Sequence, residues 1–151
     1  MHKLVAALMM AIIGALLFSA FVMQDIRIHP ELGPQDLPWG LIIRYGVAMT
    51  LGGALAGYLL CGTFGRGGVG GWVLALLGGV IAASLSGLLG SAFGLLPDML
   101  SDGFSLSEAI QIVAGLLVLP LAAIEEPVLI PAVAALIAAT HILCKRRRSV
   151  D

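Results

Sequence analysis

Residues 106–144 read LSEAIQIVAGLLVLPLAAIEEPVLIPAVAALIAATHILC, and the way these 39 residues divide decides the fold. As one α-helix they would be about 58 Å long, nearly twice the ~30 Å hydrocarbon core of a bilayer. Glu125-Glu126-Pro127 is the evident break. Proline removes a backbone donor, clashes with the preceding turn and suits the first turn of a new helix. The halves, residues 106–124 and 128–144, are 19 and 17 residues long, just enough to span. A tight hairpin with both glutamates among the headgroups is favoured, because it buries no charge. The alternative is a broken or re-entrant segment with the glutamates inside the membrane. An acid there costs about 2.5–3.5 kcal/mol on insertion scales and marks an ion or proton path.

Three more apolar runs precede this one: residues 4–23 and 72–96 without a charge, and 39–60 with Arg44 alone. The reading is an all-α polytopic transmembrane bundle forming a single domain, 1–151. Five spans (4–23, 39–60, 72–96, 106–124 and 128–144) are favoured over four with a broken last segment. The 20-residue first run exceeds a typical signal-peptide core and lacks a clean cleavage site, so it reads as a retained span. Between the first two spans Pro30, Pro34 and Pro38 preclude a long helix. Residues 62–71, rich in glycine, read as a turn, since no strand and no phosphate-loop pattern precedes them.

The chain is 60% hydrophobic and 11% charged, with a mean hydropathy of +1.06. Soluble domains are about 25% charged, so no soluble domain fits. A net charge of −1 leaves no field to recruit nucleic acid. The expected environment is the lipid bilayer, and a bacterial inner membrane is the assignment. Lys145, Arg146, Arg147 and Arg148 follow the last span and place the C-terminus in the cytoplasm. The charge rule does not choose between four and five spans, because each puts six basic residues inside and two outside.

Small residues recur every four positions. On the second span Ala48, Gly52 and Ala56 form one ladder, and Gly53, Gly57 and Cys61 another. On the third, Ala75, Gly79, Ala83, Gly87 and Ser91 run beside Gly78, Ala82, Ser86, Gly90 and Gly94. Such faces let helix backbones approach closely in lipid, where hydrophobicity provides no pull between helices. The third span is therefore expected at the centre. Ser105 and Glu108 match a capping box, so a helix should start near Leu106 after a linker over residues 97–104. Arg44 and Glu108 lie on the same side in either topology and are expected to pair.

No chemical site stands out. His2, His29 and His141 lack ligand spacing, Cys61 and Cys144 lack CxxC spacing, and no nucleophile elbow is present. Neither metal, cofactor nor enzymatic activity is expected. The leading expectation is a non-enzymatic subunit or accessory protein that packs with itself, as a homo-oligomer, or with a larger membrane complex, using Gly53, Gly57, Gly79, Ala83, Gly87, Gly90 and Gly94. The alternative is a small oligomeric proton- or cation-coupled transporter or channel using Glu125 and Glu126. Gly115, Pro120, Pro127 and Pro131 could make the discontinuous helices that transporters use.

Overall fold

In a computed structural model, residues 2–29, 31, 33 and 35–148 are described; Pro30 and Pro34 lie outside them. The described residues form six α-helices and no strand: α1 (His2–Ile28), α2 (Trp39–Leu59), α3 (Gly68–Asp102), α4 (Leu106–Ala114), α5 (Val118–Glu125) and α6 (Leu129–Arg148). A 3₁₀ turn, Cys61–Thr63, follows α2, and another, Gly115–Leu117, joins α4 to α5. Taking α4–α5 as one segment, five helices are long and apolar enough to cross a membrane. The chain is an integral membrane protein with an all-α bundle fold.

Helix boundaries follow local chemistry. α3 continues through Pro97 for 35 residues and stops at Gly103, whose φ of +85° is open to glycine at little cost. The sequence reading ended this span at residue 96; the finding is that the proline does not terminate it and that Asp98 lies on the helix. α4 starts on the expected capping box: Glu108 N–H donates to Ser105 Oγ at 3.2 Å, and Ser105 N–H donates to the Glu108 carboxylate at 2.7 Å.

α3 is central and packs against all five other helices. Its small face is buried (Ala75, Gly79, Ala83, Gly87 on one row; Gly78, Ala82, Ser86, Gly90 on the other), while Leu77 and Ile81 are about half exposed. This inverts the order of a soluble core and is the arrangement expected where the solvent is lipid. α2 lies antiparallel to both α1 and α3. A Cβ on Gly57 would stand 2.5 Å from the Ala6 carbonyl oxygen, and one on Gly52 2.8 Å from that of Ser86. Gly53 meets Met10, and Gly90 and Gly94 meet Met49 and Tyr45.

The contacts also order the two ends of the bundle. At one end Cys144 Sγ lies 3.6 Å from the His2 carbonyl oxygen, Arg148 donates to the Cys61 carbonyl, and Gly65 N–H donates to His141 Nδ1. The start of α1, the end of α2, the start of α3 and the end of α6 therefore share that end. The other end gathers the end of α1, the start of α2, the end of α3 and the start of α4. Glu126, at the end of α5, pairs with Arg27 in the last turn of α1. The five long apolar helices are those the sequence marks. Both termini lie at one end.

Candidate functional site

Two Arg–carboxylate pairs hold helices together toward the end where α4 enters. Arg44, in the second turn of α2, meets Asp98 on α3 with both terminal guanidinium nitrogens: Nη1 donates to Oδ1 at 3.0 Å and Nη2 to Oδ2 at 2.5 Å. The guanidinium also stands 5.3 Å from the centre of the Tyr45 ring. Its Nε is buried with no hydrogen-bond partner among the described residues. The expected Arg44–Glu108 pair is corrected. Glu108 is held by its own capping box, and continuation of α3 past Pro97 brings Asp98 within reach first.

Glu126 caps the end of α5 and pairs with Arg27; its side chain is 21% exposed and that of Arg27 63%. Glu125 points to the surface. The two adjacent acids thus have different surroundings, one held against α1 and one facing outward.

The α4–α5 segment carries an elbow at Gly115–Leu117. Gly115 sits directly on Gly87: a Cβ on Gly115 would come 2.5 Å from the Gly87 carbonyl oxygen and 2.7 Å from Ser91 Oγ. Here backbone meets backbone halfway along α3, and two glycines facing each other are what permits it. The elbow stays nearly helical, with Leu117 at ψ 0°, and Val118 N–H donates to the Gly115 carbonyl. A helix interruption at membrane depth is tolerated only when protein shelters its backbone groups, and α3 provides that shelter.

The hydroxyls in the interior are committed to backbone. Ser86 donates to the Met49 carbonyl at 2.9 Å, Thr50 to Gly46 at 2.7 Å and Thr140 to Leu136 at 2.7 Å. They line no polar path. Gln111 is different: it is exposed on α4, and its amide donates to Ser107 Oγ at 3.4 Å. Among the described residues no three His, Cys, Asp or Glu side chains come together as metal ligands.

The predicted packing residues Gly53, Gly57, Gly79, Gly87, Gly90 and Gly94 all face neighbours within the chain, and Ala83 is buried on the same row. Asp98 and Arg27 were missed as partners. For Arg27, its place in the last turn of an unbroken α1 was a usable signal; for Asp98, Pro97 concealed the helix that carries it. No protein-family model, curated protein or solved structure matches the chain.

Proposed function

We propose that this protein is a non-catalytic subunit of a membrane assembly, built from further copies of itself or from a larger complex, and that α4–α5 is the surface through which it docks. The observation that carries this reading is the exposure of that segment. α4 has no buried residue, and only 11% of the most apolar window of residues 106–125 is covered, against 28–44% in the other four spans. Its outer surface combines Leu106, Ile110 and Val113 with Gln111, whose carboxamide would otherwise face lipid. Polar side chains at this depth are associated with hydrogen bonds between helices. The small-residue faces named above are occupied internally, which moves the docking surface from those faces to α4–α5.

The test is cross-linking of an Ile110→Cys variant in native membranes, with Cys61 and Cys144 replaced by serine. A defined adduct at Ile110→Cys, absent for a Leu77→Cys control on the far face of α3, is the expected result. Equal, diffuse labelling at both positions would remove the basis for a docking surface.

A second reading is kept for one observation, the elbow beside the Glu126–Arg27 pair. A discontinuous helix next to an ionisable group is the construction transporters use. In proteoliposomes, Glu125→Gln with Glu126→Gln would abolish proton flux if those acids carry it and would leave assembly intact if they do not.

The assignment to a bacterial inner membrane is a general expectation for a small apolar bundle, and the charge placement bears on orientation alone. With both termini at one end, Lys3, Arg66 and residues 145–148 share a side, opposite Arg27 and Arg44. That six-to-two division matches the positive-inside rule when the C-terminus is cytoplasmic.

A further inference from the structure

The charges of this protein are segregated. All eight acids among the described residues (the nine of the chain less Asp151) belong to the half containing the α1–α2 loop, the end of α3 and α4–α5. Lys3, Arg66 and the four basic residues at 145–148 gather at the opposite end. At that basic end a cavity of about 330 Å³ opens between α3 and α6, lined by Trp72, His141, Ile142, Lys145 and Arg146. His141 is buried against Trp72, with ring centres 4.5 Å apart, and its Nδ1 accepts from Gly65 N–H. In the neutral ring this places the proton on Nε2, so the cavity wall holds an imidazole donor beside an ammonium and a guanidinium.

The cavity does not end at the interface. Trp72 is shared with a groove of about 250 Å³ running down α3 and α6, which in turn shares Leu76, Ala134 and Ile137 with a further crevice of about 200 Å³ bounded by α5. That last crevice is almost wholly apolar and reaches Leu129. From His141 to Leu129 is 12 residues of α6, about 18 Å. One leaflet of hydrocarbon is about 15 Å deep, half of the bilayer core. A cationic mouth at an indole-marked interface above an apolar furrow one leaflet deep has the shape and polarity of a single phospholipid.

We propose that this groove is a binding site for an anionic phospholipid, with the phosphate at Lys145, Arg146 and His141 and one acyl chain between α3 and α6 down to α5. Trp72 marks the level of the headgroup. Basic pockets between transmembrane helices recognise anionic headgroups in this way. The occupant is a lipid and not a free phosphate because the cavity continues into the apolar furrow.

The full chain in neutral detergent is titrated with dioleoylphosphatidylglycerol, dioleoylphosphatidylcholine or inorganic phosphate, following the thermal midpoint and lipid retention by native mass spectrometry. Phosphatidylglycerol is expected to bind saturably and raise the midpoint, whereas the other two leave it unchanged. Lys145→Gln should weaken phosphatidylglycerol about fivefold. Arg147→Gln, with the same change in charge but outside the mouth, should leave it within about twofold. Ala134→Phe, at an exposed position on the groove wall, should remove lipid retention without lowering the midpoint of the lipid-free protein. Equal binding of phosphatidylcholine, reproduction of the shift by phosphate, equivalence of the Lys145 and Arg147 variants, or retention by Ala134→Phe would each overturn the proposal.

Discussion

Gly87→Ala tests the elbow directly. Its new methyl would point at the Gly115 carbonyl oxygen, and the reciprocal methyl of Gly115→Ala would lie 2.5 Å from the Gly87 carbonyl oxygen. A relaxed carbon–oxygen contact is about 3.3–3.6 Å, so the two backbones must separate by roughly 1 Å. The obstacle is backbone, which cannot rotate away as a side chain can. Overpacking of this kind costs about 1–3 kcal/mol, and a backbone clash belongs at the upper end. Alanine returns up to ~1 kcal/mol in helix propensity, leaving a net loss of about 2 kcal/mol. Gly40→Ala in α2, where nothing lies within 4 Å of the new methyl, keeps the propensity gain alone. Because one displacement relieves both clashes, the Gly87→Ala, Gly115→Ala double variant should cost less than the sum of the singles. Reversible unfolding in bicelles gives the three values. A Gly87→Ala protein as stable as Gly40→Ala, or strictly additive singles, would mean that α4–α5 does not rest on α3 at this point.

Reversing the charges in Arg44→Asp, Asp98→Arg should recover part of the stability that either single change removes, whereas Arg44→Glu with Glu108→Arg should recover none; thermal midpoints in detergent separate the two. Ser86→Ala, which removes a hydroxyl bonded to the Met49 carbonyl, should cost only about 0.6 kcal/mol, the usual value for a polar contact between membrane helices, while Ser86→Leu should prevent folding; both are read by the same bicelle unfolding. His141→Leu leaves Gly65 N–H without its acceptor and should lose about 1–3 kcal/mol, visible as a lower unfolding midpoint. Reporter tags on the two termini should label from the same face of the membrane, and labelling from opposite faces would contradict the contact of His2 with Cys144.

The helices were legible because lipid solvation demands long uncharged runs, and the chain interrupts them only with recognisable signals. Ser105 and Glu108 announced the start of α4, and the glycine ladder of α3 announced the central helix. What stayed hidden was direction. Glu125-Glu126-Pro127 shows where the chain breaks but not which side of the membrane it faces, and the charge count was six to two either way. Long-range contacts, His2 with Cys144 and Arg27 with Glu126, fix which helix ends lie together. The Arg44 partner was misread for a related reason. Pro97 is a breaker by local rules, yet packing of Gly94 on Tyr45 holds α3 in place beside α2 just before it, and tertiary contact outweighed local preference.

That residues 106–125 are apolar enough to cross a membrane while His2 and Cys144 meet at one end of the bundle has a consequence for how this protein is made. As the chain is made, residues 106–125 are apolar enough to be threaded across the membrane as an ordinary span, which would part the start of α1 from the end of α6. Seating of Gly115 on the glycine surface of α3 works against that outcome. The cluster Lys145–Arg148, directly after the last span, opposes passage of that end, since positive charge flanking a span can set its orientation. A packing surface on α3 and a block of positive charge at the end of α6 thus act in the same direction, toward keeping the start of α1 and the end of α6 together.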